Sequence, residues 1–141
     1  MKRISILFFA LIIISFTSCD SSSSKYDAAT YQIKLSEIKT MEHSEPTVFL
    51  SADGNYNQNF WGDKLKVHCI IKNKALLAAF KDITVRVTFY SKTKTVLGSN
   101  DYKVYELVPP SSEKQVELEI ENYKDVDAIG WDVVDAVSTE I

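Results

Sequence analysis

The sequence contains few of the residues that most often carry chemistry. Its 141 residues include two cysteines, two histidines, three prolines and four glycines. Neither His43 nor His68 has a cysteine or a second histidine at the spacing of a zinc site, and His68 falls on an outward strand position. No Gly-x-Ser-x-Gly segment is present to place a serine nucleophile on a sharp turn. We therefore expect neither a metal nor a cofactor.

An excess of positive charge is also missing. The chain has 16 Lys+Arg and 19 Asp+Glu, a formal net charge of −3. The first 18 residues hold Lys2 and Arg3, so the remainder has 14 basic and 19 acidic residues and a net charge of −5. Nucleic acids and anionic lipids are bound by concentrated Lys and Arg. This acidic balance therefore argues against nucleic acid and anionic lipid as the main partner.

One apolar run stands out, at residues 4–16. Its 13 residues follow Lys2 and Arg3 and are interrupted only by Ser5 and Ser15. A helix that spans a membrane needs about 20 apolar residues, whereas the apolar region of a signal peptide has only about 7–15. We therefore predict a signal peptide over residues 1–18. The alternative is a hydrophobic N-terminal helix next to which Cys19 is incidental.

The end of this run, Phe16-Thr17-Ser18-Cys19, resembles the bacterial lipobox. The resemblance implies that the Cys19 thiol receives diacylglycerol and that Cys19 becomes the new N-terminus. Residues 19–30 then form a polar, Ser-rich flexible tether. The protein would be exported across the inner membrane and anchored by lipid in the cell envelope, at the periplasmic face or the cell surface. Cys69 would have no disulfide partner, so the domain would depend on its core.

The remaining residues, 31–141, alternate between apolar and polar for long stretches. Four segments each have one apolar face, which is typical of half-buried strands. Their apolar residues are Leu65, Val67, Cys69 and Ile71; Ile83, Val85, Val87 and Phe89; Val116, Leu118 and Ile120; and Ile129, Trp131 and Val133. Residues 47–52 and 102–107 are predicted as further strands, and the alternation of Tyr31, Ile33 and Leu35 favours a leading strand over residues 31–41.

Turn-forming residues separate these segments. Residues 53–55 predict a turn, residues 98–101 a turn or bulge, and residues 109–112 an exit from the sheet. Residues 73–80 are compatible with a helix but short, so we interpret them as a connection with one turn at most. We expect an all-β fold, an antiparallel immunoglobulin-like β-sandwich of about six to eight strands, with Trp131 in its core.

Two segments of the chain resemble a known domain family. Residues 67–74 are similar to the strand ending in Lys-Asn that opens FxLYD-type domains, which are small Ig-like or fibronectin-like sandwiches of bacterial envelope proteins. Residues 85–98 are similar to the family's central signature, with Phe89 in place of Leu, Ser91 in place of Asp and Lys94 in place of a turn glycine. Residues 107–110 loosely match its later turn.

A closer similarity is to uncharacterised Gram-negative lipoproteins that share an Asn-Phe-Trp/Ile-Gly stretch before the Lys-Asn strand. That stretch is Asn59-Phe60-Trp61-Gly62 in this chain. Neither group implies catalytic residues.

The residues that most resemble parts of a catalytic or metal site favour a non-enzyme. Residues 53–57 have the Asp/Asn alternation of half a calcium loop, but Gln58 and Lys64 replace its glycine and glutamate. Cys69 falls mid-strand on the apolar face, where a thiol is inert. The last acidic residues should be solvated, with Asp132 outward and Asp135 inward or near a strand end. They are Asp125, Asp127, Asp132 and Asp135.

Aromatic residues are the remaining candidates for binding. Tyr56, Phe60 and Trp61 fall in a loop or at a strand end, and Tyr90, Tyr102 and Tyr105 are expected around one hairpin. If exposed together, such rings form a platform for a sugar or a protein; otherwise they serve packing. The preferred hypothesis is a lipid-anchored, non-enzymatic binding or assembly module. The alternative is a carbohydrate-binding accessory protein that uses Tyr56, Phe60 and Trp61.

Overall fold

The structure, a computed structural model, describes residues 28–140. The predicted signal peptide, Cys19 and residues 19–27 of the predicted tether lie outside this range. The elements in order are α1 (Ala28–Ser44), α2 (Pro46–Phe49), β1 (Leu50–Gln58), β2 (Lys64–Asn73), β3 (Ala79–Tyr90), β4 (Val96–Val104), β5 (Glu113–Glu121) and β6 (Ala128–Thr139). Residues 28–30, placed in the tether from the sequence, form the first turn of α1. No helix in the described range is long and apolar enough to cross a membrane.

The six strands form two antiparallel sheets of three strands, in the orders β1-β2-β5 and β4-β3-β6. Alternate residues of the two central strands, β2 and β3, point into one shared core. The fully buried ones are Leu65, Val67, Cys69, Ile71, Ala79, Ile83, Val85, Val87 and Phe89. The predicted antiparallel, mainly β architecture is confirmed, because period-two alternation buries one face of each sheet. Trp131 is half-buried against this core.

The thiol of Cys69 belongs to the core, as predicted. It is fully buried, and burial raises its pKa to about 11. Because the thiolate is the reactive form, we expect a thiol-specific disulfide reagent at pH 8 to leave the folded domain unmodified and to react after unfolding in urea. Rapid modification without denaturant would contradict this placement.

The predicted leading strand over residues 31–41 is wrong, because these residues belong to α1. Leu35 and Ile38 turn partly toward the domain and Glu42 is buried, a spacing of three and four residues that fits a helix face. The alternation was misleading because Ile33 is 61% exposed. Residues 47–52 are a strand only from Leu50 onward, because α2 occupies the preceding residues.

The turn predicted over residues 53–55 is also wrong. These residues lie inside β1, where Gly54 pairs with Cys69. A Cβ on Gly54 would lie 2.6 Å from the carbonyl oxygen of His68, so this glycine permits close approach of two strands.

Residues 98–101, predicted as a turn or bulge, lie inside β4 and form no turn. The register with β3 shifts next to Gly98, from the pair Phe89–Gly98 to the pair Tyr90–Val96, which fits the bulge alternative. Gly98 also makes room for the ring of Tyr123.

The other predicted boundaries differ less. The strand predicted over residues 102–107 ends at Val104. Residues 74–78 form an irregular connection without a helical turn, and β3 begins at Ala79.

The antiparallel connections divide the domain into two ends. The hairpin end consists of the loops at residues 59–63, 91–95 and 122–127. The helical end consists of α1, α2, the loop at residues 74–78 and the connection at residues 105–112. Strand β1 joins the two ends, and its nine residues span about 26 Å at roughly 3.3 Å per residue.

Candidate binding site

The loop between β1 and β2 is closed by a network centred on Asn59. The Asn59 amide donates to the carbonyl of Lys64 (3.0 Å), and the Gly62 amide donates to the carbonyl of Asn59 (3.2 Å). The Asn59 side chain donates from Nδ2 to Oδ1 of Asp63 at 2.7 Å. Gly62 has φ +75°, a conformation that glycine adopts without strain. The loop is therefore closed by hydrogen bonds of its backbone and of the Asn59 side chain.

Phe60 and Trp61 occupy the tip of this loop. Phe60 is 92% exposed and Trp61 is 81% exposed. Their ring centroids lie 5.1 Å apart and the ring planes are nearly perpendicular, at 88°. Each large aromatic ring buries about 150–250 Å² when it is covered, so this pair offers substantial apolar area to a partner. Both residues were singled out from the sequence.

The loop between β5 and β6, at residues 122–127, supports this tip although it lies about 60 residues later in the sequence. The amide of Asn122 donates to the carbonyl of Asp63 at 2.8 Å, and its Nδ2 donates to the carbonyl of Gly62 at 2.9 Å. The Oδ1 atom of Asn122 is buried and has no hydrogen-bond partner within the described chain. Sequence reasoning missed Asn122, because nothing in its local pattern indicates a contact 60 residues away.

An open cleft of about 420 Å³ runs beside Trp61, between the two loops. Asp63, Asn122, Lys124 and Asp125 give it polar groups, and Tyr123 and Val126 complete its wall. Asp125 has φ +65°, which is unusual for a residue with a side chain. The cleft could accept a small polar group beside an aromatic ring.

The other aromatic candidates do not join this pair. Tyr56 is half-buried against the core, and its hydroxyl donates to the carbonyl of Asp127 at 3.4 Å. The expected cluster of three tyrosines is wrong: Tyr90 lies at the hairpin end, Tyr105 lies at the helical end, and Tyr102 pairs with Val85 between them.

The titratable side chains lie mainly on the outer faces of the sheets. Arg86 donates from Nε and Nη2 to the two oxygens of Asp101 (2.7 and 2.8 Å), and these hydrogen bonds lower the pKa of that carboxyl. Lys64 donates to Glu119 at 2.7 Å and lowers the pKa of Glu119 in the same way. These are exposed pairs, which contribute little to stability.

The two histidines each contact one polar side chain, and Asp132 and Asp135 face outward. His68 lies 3.4 Å from Glu117 on an outer sheet face, and Nδ1 of His43 shares a hydrogen bond with the Ser138 hydroxyl at 2.7 Å. Asp132 and Asp135 are both exposed, so the inward orientation considered for Asp135 is wrong. Among residues 28–140, no three His, Cys, Asp or Glu side chains are grouped to hold a metal ion.

Comparisons of the chain with protein-family models, with curated proteins and with solved structures give no match. The interpretation of the hairpin end therefore rests on its own geometry. That geometry is a hydrogen-bonded loop presenting two exposed perpendicular rings beside a polar cleft.

Proposed function

We propose that this chain is a lipid-anchored, non-enzymatic envelope protein whose immunoglobulin-like domain binds a partner protein through Phe60 and Trp61. The observation that carries the proposal is the exposure of both rings on a loop fixed by hydrogen bonds. Because the loop is already ordered, little conformational entropy is lost when a partner covers it. Trp is also among the residues most enriched at the energetic centres of interfaces.

The position of the rings relative to the proposed anchor supports this role. A lipid on Cys19 would precede α1, which lies at the helical end. Phe60 and Trp61 lie at the other end of β1, about 26 Å away at roughly 3.3 Å per residue. The rings would then face away from the anchoring membrane, toward other components of the envelope.

The proposed relation to FxLYD-type domains has a local counterpart in the β3–β4 loop. Lys94, which stands in place of the family's turn glycine, has φ +61°. Glycine adopts this left-handed conformation more readily than any other residue. Asn73, the last residue of the Lys-Asn strand, is buried and hydrogen-bonded at the end of β2.

The ring geometry favours a protein over a glycan. A sugar stacks on a flat, open aromatic face, whereas two rings at 88° form a wedge that suits an apolar pocket. Carbohydrate binding is the second candidate, and the polar cleft beside Trp61 favours it. There, Asp63, Asn122 and Lys124 offer hydrogen-bonding groups near the ring.

The double substitution Phe60→Ala, Trp61→Ala tests the proposal. Both side chains are exposed, so we expect the free energy of unfolding to change by less than about 0.5 kcal/mol. Loss of two central aromatic contacts should cost at least about 2 kcal/mol of binding, roughly a 30-fold loss of affinity. The measurement is crosslinking and pull-down from intact cells, with recovery of the partner quantified.

The matched control is Val96→Ala, which removes another exposed apolar side chain at the hairpin end. It should leave the crosslinked partner in place. Equal recovery of one protein partner by the double variant and the wild type would refute the proposal. Recovery of glycan fragments that depend on Trp61 would support the second candidate instead.

A further inference from the structure

We infer that the helical end rests on the surface of the lipid bilayer that anchors the chain. This inference rests on the proposed lipid at Cys19 and adds a second contact with the same membrane. The bilayer would cover an apolar surface at the helical end, whereas the rings of Phe60 and Trp61 lie at the hairpin end.

Most of the large exposed hydrophobic side chains of residues 28–140 lie at the helical end. Those that the inference uses are Met41, Val48, Leu76, Leu77, Tyr105 and Leu107. Leu76 is 65% exposed and Tyr105 is 78% exposed. Large apolar patches on soluble domains mark sites that contact a protein or a membrane.

Hydrogen bonds, an ion pair and a shared cleft place most of these residues on neighbouring segments. The carboxylate of Glu42, next to Met41, accepts the amides of Leu76 and Leu77 at 2.6 and 3.0 Å, which places the 74–78 loop beside α1. Lys39 pairs with Glu140 at 2.6 Å, which places α1 beside the end of β6. Thr139 and Glu140 line the same cleft as Tyr105 and Leu107.

The length of chain before α1 determines what lies close to this surface. Residues 20–27 separate Cys19 from Ala28, and eight residues reach at most about 28 Å. Helix α1 then adds 17 residues, about 26 Å at 1.5 Å per residue, before the surface that contains Met41 and Val48. The acyl chains on Cys19 would therefore hold the bilayer within about 54 Å of this surface even with both segments fully extended, and so at a raised effective concentration.

The charges at this end suit an apolar rather than an electrostatic contact. Lys39 is paired with Glu140, and Lys114 is paired with Glu106 at 3.1 Å. Tyr105 matches the preference of tyrosine for the membrane–water interface. We therefore expect the contact to form on uncharged phosphatidylcholine and to persist at high salt.

The experiment uses the full-length lipidated protein in phosphatidylcholine vesicles that contain a nitroxide-labelled lipid. Leu76→Cys and Val96→Cys each carry an environment-sensitive dye, and Leu107→Cys provides a second site at the helical end. Cys69 is fully buried and stays unlabelled. The dyes at positions 76 and 107 should lose most of their fluorescence to the nitroxide, while the dye at position 96 keeps its intensity in low and high salt.

Each other outcome contradicts a defined part of the inference. If the protein floats with the vesicles but the dyes at positions 76 and 107 are not quenched, the membrane contact of the helical end is refuted. The lipid anchor is supported in that case. A blue-shifted but unquenched dye would show that a second copy of the chain covers this end, which also overturns it. Protein that fails to float with the vesicles would refute the anchor itself, and the inference with it.

Discussion

Replacing Asn73 by alanine is expected to lower the free energy of unfolding by about 3–5 kcal/mol, since each buried polar group left unpaired costs about 1–3 kcal/mol. Asn73 is only 3% exposed at the end of β2. The two hydrogens on its Nδ2 are shared among three carbonyls, those of Ala78 (2.9 Å), Val108 (3.1 Å) and Pro109 (2.9 Å), and its Oδ1 accepts the amide of Ala75 (2.8 Å). One side chain thus fixes two loops.

Urea denaturation followed by circular dichroism measures this effect. The control is Asn57→Ala, an exposed asparagine on β1, which should change the free energy of unfolding by less than about 0.5 kcal/mol. Asn73→Asp should be as harmful as Asn73→Ala, because a carboxylate cannot donate to the three carbonyls. A loss below about 1 kcal/mol for Asn73→Ala would mean that the network is not needed for stability.

Replacing Glu42 by alanine is expected to detach α1 from the domain. The carboxylate of Glu42 is 99% buried and accepts the backbone amides of Leu76 (2.6 Å), Leu77 (3.0 Å) and Ala78 (2.8 Å). Hydrogen bonds to a charged group contribute about 1.5–3 kcal/mol each, and their loss is not additive, so we expect a total of about 3 kcal/mol.

Hydrogen exchange measures the detachment directly. The amides of Leu76, Leu77 and Ala78 should exchange much faster in Glu42→Ala, and those of α1 should lose their protection as well. Glu37→Ala removes an exposed glutamate from the same helix and should change neither set. Unchanged protection of the 76–78 amides in Glu42→Ala would show that the carboxylate does not hold this loop.

The strands that could be predicted from the sequence are those with a single buried face. From Leu65 to Ile71 in β2 and from Ile83 to Phe89 in β3, every second residue is apolar because both central strands contribute that face to the shared core. Helix α1 was not recognised because its apolar residues do not all lie on one face: Leu35 and Ile38 turn partly toward the domain, but Ile33 is exposed. Gly54 indicated a turn, but the space it provides is needed between two paired strands.

The candidate site was predictable in part. The sequence singled out Phe60 and Trp61, and both lie together at an exposed tip. Both rings are exposed because Asn59 closes the turn and Asn122 supports it. The contact of Asn122 with Gly62 spans 60 residues, so no local sequence pattern predicts it. Tyr56 was grouped with them because it is nearby in sequence, yet its position on β1 turns it toward the core.

The most direct measurement of the central claim is photo-crosslinking in intact cells with benzoylphenylalanine at position 58, which lies beside Trp61 and leaves both rings in place, and, separately, at position 105. The account predicts one defined protein adduct from position 58 at the hairpin end. It predicts none from position 105, which is open to solvent but lies at the helical end. No adduct from position 58, or the same adduct from both positions, would contradict the claim that Phe60 and Trp61 form the partner-binding surface.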